Sequence, residues 1–338
     1  MSTLPRKLIT TRRGQQLSLT ALGLGTAPLG NLFRPISESD SDATLEAAWD
    51  CGIRLFDTAP FYGRGLAETR LNRFLRGRQR NDYVLSTKAG RILQRIPSEQ
   101  MTSHTHYFDT PAREVIYDYS RDGILRSVEH SLERLGADSL DLLLVHDIDP
   151  VTHGSAEVSE QHIRTLLNSG TKAFDELLSA GVIRAIGTGL NVTETTERLV
   201  TELDLDIVLL AGRYTLLEQT PLDSLFPLCQ RKGTAVLAAG VFNSGLLAGG
   251  TTYNYSAAPS ALIARAQHIH QICSKHGAVM KDAALHFPCL HPAVAAVIVG
   301  AVKPAEIREN VASLSKQIPP ALWTDLKSDG LVAANAPV

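Results

Sequence analysis

The chain has 338 residues, of which 44% are hydrophobic and 20% charged, a balance typical of a globular protein with a sizeable core. Its formal net charge of −2 excludes the strong positive field with which proteins attract nucleic acid or anionic membranes. Four well-separated cysteines without a CxxC pair favour free thiols, and neither a secretion signal nor an apolar run of membrane-spanning length is evident. We therefore expect a cytoplasmic protein that has no nucleic-acid or membrane partner.

Strand-like and helix-like segments alternate along the chain, after an N-terminal hairpin that we expect to turn near Gly14. Eight segments have near-continuous apolar cores, which is typical of parallel strands covered on both faces. These predicted strands are 21–30, 53–59, 83–89, 140–148, 183–191, 205–214, 234–243 and 294–301. Amphipathic helices are predicted between them, for example at 41–52, 123–136 and 171–181, the last two closed by a glycine.

Eight β–α units predict an α/β fold, the (β/α)₈ TIM barrel, as a single domain over residues 1–338. A doubly wound sheet is disfavoured, because the segment 23–30 has Pro28 where the dinucleotide fingerprint GxGxxG requires its third glycine. Residues 91–122 form a long insertion after the third barrel strand, as functional loops and disordered segments do. A C-terminal tail is predicted to carry one helix near 321–330.

Ionisable side chains stand at the ends of three neighbouring strands. Asp57 and Tyr62 follow the second strand, Lys88 ends the third and His146 ends the fourth. Active sites of such barrels lie at the C-terminal ends of the strands. A tyrosine is a weak base at neutral pH, but a neighbouring ammonium lowers its pKa and an aspartate keeps that ammonium charged and oriented. With a neutral histidine beside it, this set predicts proton transfer at a carbinol oxygen without a metal or a covalent nucleophile.

Each of these residues also has a structural interpretation. A strand-end lysine is often solvated, a strand-end histidine is often a hydrogen-bonded structural residue, and Asp57 could cap the turn that follows it. A metal cluster is a further alternative, made of His146, Asp147, Asp149 and His153. Its spacing fits no standard ligand pattern, so we expect no metal site.

Four motifs, in chain order, resemble the successive signatures of the aldo-keto reductase superfamily. They are LFDTAPFYGRG (55–65), LSTKAG (85–90), LLLVHDIDP (142–150) and VIVGAVKPAEIREN (297–310). The resemblance implies a barrel that binds a nicotinamide dinucleotide in extended form, and it places the family's catalytic tetrad on Asp57, Tyr62, Lys88 and His146. The segment 117–150 further resembles the branch that contains D-threo-aldose, L-fucose and L-galactose 1-dehydrogenases and pyridoxal 4-dehydrogenase.

The same resemblance implies a cofactor site along the last strands. The pyrophosphate would lie at the segment 240–247, and Tyr214 would stack under the nicotinamide. The family's Ser-Asn pair for the carboxamide is missing from strand five, which leaves Asn191 as the nearest substitute, one position displaced. The implied cofactor-binding residues are Gly25, Thr26, Asn191, Tyr214, Phe242, Asn243, Ser244, Leu246, Gly300, Ala301, Val302, Lys303, Glu306 and Asn310.

Cofactor preference depends on the helix that follows the last strand. Family members that prefer a 2′-phosphate commonly have a basic residue where this chain has Glu306, and often another in place of Gly300. A carboxylate repels a phosphate but accepts a hydrogen bond from a free ribose hydroxyl. We therefore expect NAD in preference to NADP, although Lys303 could reach a phosphate and an acid in the first helical turn is favourable in any case.

Taken with the resemblance, the tetrad predicts NAD-dependent oxidation of a cyclic hemiacetal to its lactone. The substrate would be an aldose such as L-fucose, L-galactose or D-arabinose, oxidised at C1, or pyridoxal. Tyr62 would accept the hydroxyl proton as a phenolate, Lys88 would lower its pKa, Asp57 would orient Lys88 and His146 would position the substrate oxygen. We expect a monomer or a small homo-oligomer.

Two other functions stay open. One is an NADPH-dependent aldehyde or ketone reductase of the same superfamily, and the other is a cofactor-sensing binding subunit without significant turnover. The insertion 91–122 either covers the pocket or is a disordered segment. Its candidate pocket residues are His104, His106, Tyr107, Phe108 and Arg121.

Overall fold

The computed structural model describes residues 4–101 and 106–338. The strands are, in chain order, β1 (Arg6–Thr10), β2 (Gln16–Thr20), β3 (Leu22–Gly25), β4 (Leu55–Asp57), β5 (Val84–Ala89), β6 (Arg91–Arg95), β7 (Arg113–Tyr117), β8 (Leu142–His146), β9 (Ala185–Leu190), β10 (Ile207–Ala211), β11 (Ala235–Ala239), β12 (Thr252–Tyr253), β13 (Ser256–Ala257) and β14 (Val294–Gly300). The helices are α1 (Glu38–Asp50), α2 (Leu66–Leu75), α3 (Arg121–Leu135), α4 (Pro150–His153), α5 (Ala156–Thr165), α6 (Thr171–Ser179), α7 (Thr193–Glu202), α8 (Leu225–Lys232), α9 (Ser260–Lys275), α10 (Met280–Cys289), α11 (Pro304–Ser313) and α12 (Pro320–Ser328). A π-helical turn at Leu166–Gly170 joins α5 to α6.

Eight parallel strands close into a barrel whose spatial order follows the chain: β3, β4, β5, β8, β9, β10, β11 and β14. Each of the eight predicted strands is one of these, so the predicted (β/α)₈ fold is confirmed. The predicted strands are longer than the observed ones at one or both ends, because apolar residues continue into the loops. The segment 205–214, for example, contains β10, which ends at Ala211.

The predicted N-terminal hairpin is β1 paired with β2, and it turns at Gly14, whose φ of 75° suits glycine. Ile9, Leu17 and Leu19 of this hairpin are buried in one apolar cluster with the first residues of barrel strands, such as Leu55 and Leu142. The hairpin therefore seals the N-terminal end of the barrel. A second, larger core lies between the strands and the ring of helices.

Helix boundaries follow local capping. Helix α1 begins at Glu38, before the predicted residue 41, because Ser37 Oγ accepts a hydrogen bond from the Asp40 amide at 3.0 Å. Helix α3 ends at Leu135 and is capped by Gly136, which has a left-handed φ of 59°, as predicted. Helix α12 confirms the predicted helix in the C-terminal tail. None of the helices in the described part of the chain combines the length and hydropathy needed to cross a bilayer, and all four cysteines are free.

In its described part, the insertion 91–122 differs from the disordered segment that was one of the two expectations for it. Strands β6 and β7 pair as an antiparallel hairpin that packs on α3, so much of the segment has regular structure. In the loop that connects β6 to β7, Tyr107 forms an isolated β-bridge with Leu32. The insertion is thereby attached to the loop that follows β3. His104 lies outside the described residues.

Barrel register brings the predicted site residues to one rim. Gly25 of β3 lies between Asp57 of β4 and Gly300 of β14. On the other side of the barrel, His146 of β8 is level with Gly189 of β9. Because all the strands are parallel, their C-terminal residues surround a single opening.

Candidate active site

A cavity of about 480 Å³ lies at this opening, and all four predicted catalytic residues line it. These residues are Asp57, Tyr62, Lys88 and His146. Each comes from the end of a different strand, or in the case of Tyr62 from the loop that follows β4. The structure therefore brings the predicted tetrad together in one place.

Lys88 and Asp57 form a buried ion pair whose side chains are 1% and 3% exposed. Lys88 Nζ donates to Asp57 Oδ2 at 2.7 Å and to the Thr58 carbonyl at 2.9 Å. The other carboxylate oxygen of Asp57 accepts from Ser86 Oγ at 2.8 Å. These contacts fix the ammonium and use two of its three donors, which leaves the third for the cavity.

Tyr62 lies between the lysine and the histidine. Lys88 Nζ is 4.9 Å from the centroid of the Tyr62 ring, and the His146 ring is 5.9 Å away at an interplanar angle of 87°. Phenol, ammonium and imidazole therefore face one cavity, which is the arrangement that proton transfer at a single oxygen requires.

The pKa of Tyr62 is shifted in the direction opposite to that expected. Burial raises it well above its ordinary value of about 10, and the negative charge of Asp57 raises it further. The expected net lowering by Lys88 is wrong for this structure, because burial of the phenol and, after it, the charge of Asp57 outweigh the ammonium. Tyr62 is accordingly mostly protonated at neutral pH, and the ionised fraction that can accept a proton grows as the pH rises.

His146 is neutral, as predicted. Burial lowers its pKa well below the ordinary value, and the positive charges of Arg91 and Lys88 lower it further. Its Nε2 is 3.3 Å from Asp147 Oδ2. Its Nδ1 is buried and has no hydrogen-bond partner among residues 4–101 and 106–338.

Sequence reasoning missed a second ion pair, which lies beside this cavity. Arg91 is 3% exposed, pairs with the Asp147 carboxylate and stacks 4.1 Å above the ring of Phe61. The signals were an arginine three residues after Lys88 and an aspartate directly after His146. The pairing itself joins residues far apart in sequence, so the pattern of one chain does not reveal it.

The metal alternative finds no support in the described part of the chain, where no three histidine, cysteine or acidic side chains are close enough to hold an ion. Asp149 instead caps α4, accepting from the Thr152 amide at 3.0 Å. The His153 Nε2 is 3.2 Å from Tyr119 Oη. These two residues have structural contacts.

Aromatic rings from three loops cover part of the cavity. Phe33, His106 and Tyr255 all line it, and their ring centroids lie 5.8 to 6.2 Å apart. His106 and Tyr107 are the residues of the insertion that line the cavity. The insertion therefore reaches the cavity through these two of its predicted residues.

Two other predicted pocket residues of the insertion lie elsewhere. Phe108 is 48% exposed and is not part of the cavity lining. Arg121 is the first residue of α3, where it pairs on the surface with Glu176 and Asp122. The prediction for both is wrong, because the chain turns away from the rim before it enters α3.

The cavity continues from the tetrad to the last strand, where its wall suits a flat, extended ligand. A Cβ on Gly300 would lie 2.7 Å from Pro28 Cγ, and one on Gly25 would lie 3.0 Å from Ile298 Cγ2, so a side chain at either position would force its neighbour to move. The adjoining turn has left-handed residues in succession, among them Ser244 with φ 56°. Such backbone turns present amide groups that bind anionic oxygens.

Five predicted cofactor residues line this part of the cavity: Gly25, Asn191, Phe242, Ser244 and Gly300. Five others are buried behind the wall: Thr26, Asn243, Leu246, Ala301 and Asn310. The side-chain oxygens of Asn243 and Asn310 lack a hydrogen-bond partner among the described residues. The residue types and the smooth wall thus fit a dinucleotide.

The prediction that Tyr214 stacks under the nicotinamide is wrong. The residue is 1% exposed, and its ring packs in the core against Phe226, Phe287 and His291, with centroids 4.7, 4.9 and 5.7 Å away. Strand β10 ends at Ala211, so three residues further on the chain has already turned into the core. Tyr214 is therefore a residue of the apolar core.

Charged residues beside Gly300 stand at the start of α11. Glu306 Oε2 accepts from the Val302 amide at 2.8 Å, so its carboxylate is fixed at the helix N-terminus. Lys303, the residue before the helix, is exposed. One immobilised negative charge and one mobile positive charge therefore stand near the Gly300 end of the cavity.

Comparisons with known proteins agree with this geometry. The sequence model of the aldo/keto reductase family matches residues 21–328. The chain is 43% identical to pyridoxal 4-dehydrogenase from Microbacterium luteolum, over 94% of this chain and 96% of that one. It is 41% identical to D-threo-aldose 1-dehydrogenase from a Pseudomonas species, over 94% and 95%. An aldo-keto reductase from Bacillus halodurans has a similar structure, with a TM-score of 0.74 at 23% identity, covering 98% and 97%.

Proposed function

This chain is an oxidoreductase of the aldo/keto reductase family, and on that premise we propose that it oxidises a cyclic hemiacetal to its lactone with NAD⁺. The substrate would be an aldose oxidised at C1 or pyridoxal, which are the substrates named for the two relatives. The observation that carries the proposal is the Asp57–Lys88 pair, which faces Tyr62 and a neutral His146 in one cavity.

The proposed proton path involves three side chains. The hemiacetal hydroxyl lies between Tyr62 and His146, so that the ionised phenol accepts its proton while the C1–H bond breaks and the carbonyl forms. Lys88 stabilises the phenolate through its remaining N–H donor, since Asp57 and Thr58 fix the other two. His146, being neutral, bonds the substrate oxygen without adding a competing positive charge. When bound, the dinucleotide supplies the hydride acceptor.

The residues proposed to hold the dinucleotide are Gly25, Asn191, Phe242, Ser244 and Gly300. We propose NAD as the preferred form because Glu306 is fixed by the Val302 amide and would repel a 2′-phosphate. The exposed Lys303 is the one residue of this helix start that would favour NADP.

A rate comparison tests the proposal. L-fucose, L-galactose, D-arabinose and pyridoxal would each be offered with NAD⁺ and with NADP⁺, and lactone formation would be followed together with absorbance of the reduced cofactor. We expect turnover of at least one hemiacetal, faster with NAD⁺. Tight binding of adenosine 2′-phosphate would contradict the argument from Glu306. Cofactor binding without turnover of any substrate would favour the binding-subunit alternative.

A further inference from the structure

Asp147 occupies a central place in the cavity. It follows directly after β8, has a left-handed φ of 40°, and lines the cavity beside His146. Burial is the main cause that raises the pKa values of the phenols of Tyr62, Tyr107 and Tyr255, and the negative charge of Asp147 adds to it in all three. A charge that three tyrosines from three loops all experience lies where a substrate would be bound.

The hydrogen bonds of Asp147 are incomplete. Arg91 pairs with Oδ2, and Oδ1 accepts no hydrogen bond from the described residues. Asp57, in the same cavity, has both oxygens engaged, and so has Asp141 at the opposite end of the barrel. A carboxylate can accept about four hydrogen bonds, so Asp147 retains acceptor capacity that faces the cavity.

Structural stability alone does not explain why Arg91 and Asp147 form an ion pair at this position. A buried ion pair is often no more stabilising than an apolar pair of the same volume, because both charges lose their hydration. Arg91 is 3% exposed and has an Nε without a partner among the described residues, so its hydration is not fully replaced. The pair therefore points to a role in binding.

We propose that Asp147, oriented by Arg91, accepts a hydrogen bond from the hydroxyl on the carbon next to the oxidised one, which is C2 of an aldose. This inference depends on the proposed function, in which the C1 oxygen lies at His146 and Tyr62. Asp147 Oδ2 is 3.3 Å from His146 Nε2, so the groups that receive the two oxygens are neighbours, as are the hydroxyls on adjacent ring carbons. The site thus selects vicinal diols.

The same carboxylate discriminates against pyridoxal. In pyridoxal the ring carbon next to the one that carries the reacting group has a phenolic oxygen, which ionises readily. Two negative charges placed side by side repel each other, whereas a sugar hydroxyl brings a proton for the carboxylate to accept. Aldoses are therefore the substrate class that this cavity favours.

The test compares two pentoses that differ only at C2: D-arabinose and 2-deoxy-D-ribose, which is D-arabinose without that hydroxyl. A charged acceptor that loses its donor typically changes kcat/KM by about 10- to 100-fold. We expect the unmodified enzyme to prefer D-arabinose by that factor. In Asp147→Ala the preference should fall to near one, because kcat/KM for D-arabinose should decrease much more than kcat/KM for 2-deoxy-D-ribose.

Two further variants serve as controls. Asp149→Ala removes a buried carboxylate two residues away that does not line the cavity, and it should keep the preference for D-arabinose. If Asp147→Ala does not fold because Arg91 is left uncompensated, the double variant Arg91→Met with Asp147→Ala removes both charges. If D-arabinose is not oxidised, L-fucose or L-galactose and its 2-deoxy analogue replace the pentoses.

The outcomes separate this inference from the proposed function. Equal rates for both sugars in the unmodified enzyme, or equal loss on both in the variant, would overturn the role of Asp147. Oxidation of pyridoxal without oxidation of any aldose would overturn it too, while the proposed hemiacetal chemistry would stand. If none of these hemiacetals is oxidised, the proposed function fails as well.

Discussion

The two ends of the barrel use buried charge in different ways. At the N-terminal end, Asp141 accepts from Arg80 and the Leu85 amide at one oxygen and from Arg184 at the other. At the C-terminal end, Asp147 has an oxygen without a donor among the described residues, and His146 Nδ1 has no partner there. Both ends pair a carboxylate with arginines, but of these two carboxylates only Asp147 has an oxygen that lacks a donor among the described residues.

This difference separates stability from chemistry. A fully hydrogen-bonded carboxylate under a layer of apolar side chains has nothing left to offer a ligand, so it fixes strands and hairpin in place. An incompletely bonded one retains the capacity to bind or to transfer a proton. Changes at the C-terminal end should therefore affect turnover, and changes at the N-terminal end should affect the free energy of unfolding.

The largest effect is expected for Tyr62→Phe. Loss of the phenolic oxygen removes the proton acceptor, and turnover should fall by about 10²- to 10⁴-fold, because general acid–base catalysis contributes that much. Binding of NAD, measured by quenching of protein fluorescence, should change little. Tyr83→Phe, a buried tyrosine next to β5 near the sealed end, is the matched control and should retain activity. Substantial turnover by Tyr62→Phe would remove Tyr62 from its proposed role.

The pH dependence should be nearly as large. Oxidation needs ionised Tyr62, and burial raises its pKa, so the ionised fraction is small at pH 7 and grows about tenfold per pH unit below that pKa. Oxidation should therefore accelerate steadily into the alkaline range. Reduction of the lactone or of an aldehyde needs the protonated phenol and should stay level across neutral pH.

The His146 imidazole gives the profile a second diagnostic feature. Because its pKa is lowered, no inflection from its titration should appear near its ordinary value of about 6.5. Initial rates measured between pH 6 and 10 in both directions would check this. A flat oxidation profile would contradict the phenolate mechanism.

A matched pair of substitutions compares the two ends directly. Asp57→Asn should lower turnover by about 10- to 100-fold, because Lys88 loses the charge that orients it. Asp141→Asn should lower the free energy of unfolding by about 1–3 kcal/mol and leave kcat unchanged. Urea unfolding and steady-state kinetics on both variants measure the two quantities. If Asp141→Asn lowers kcat as much as Asp57→Asn does, the proposed separation of stability at the N-terminal end from catalysis at the C-terminal end is wrong.

The smallest effect is expected at the rim of the open end. Glu306→Gln keeps the shape of the side chain but removes its charge, so discrimination against NADP⁺ should weaken by several-fold without a loss of turnover with NAD⁺. The ratio of kcat/KM for the two cofactors is the measurement. The matched control is Glu309→Gln, which removes a carboxylate from the same helix as Glu306 and breaks its ion pair with Lys281 of α10. Equal ratios in both variants would exclude Glu306 as the determinant.

The sequence was most informative where a residue depends on its own strand. All eight barrel strands and the positions of the four proposed catalytic residues followed from apolar runs and the polar residues that follow them. It was least informative where two distant segments meet. Neither the Arg91–Asp147 pair nor the core packing of Tyr214 has a local pattern, and the hairpin of β6 and β7 was concealed by the polar composition of the insertion.

The pKa of Tyr62 shows the same limit. Its residue type and its neighbour Lys88 were predictable, but the direction of the shift depends on how deeply the ring is buried and how completely Asp57 balances the ammonium. Both are properties of packing in three dimensions. Motifs therefore identified the groups, and the structure was needed for their ionisation states.

The hairpin seal at the base of the barrel also determines how ligands come and go. Ile9, Leu17 and Leu19 close the N-terminal end of the barrel. In the described part of the chain, ligands therefore enter and leave through the opening at the C-terminal rim. A ligand bound deep in the cavity cannot dissociate while a second ligand covers that opening. Two ligands would therefore bind and dissociate in a fixed order, and a tightly bound outer ligand would prevent release of the inner one.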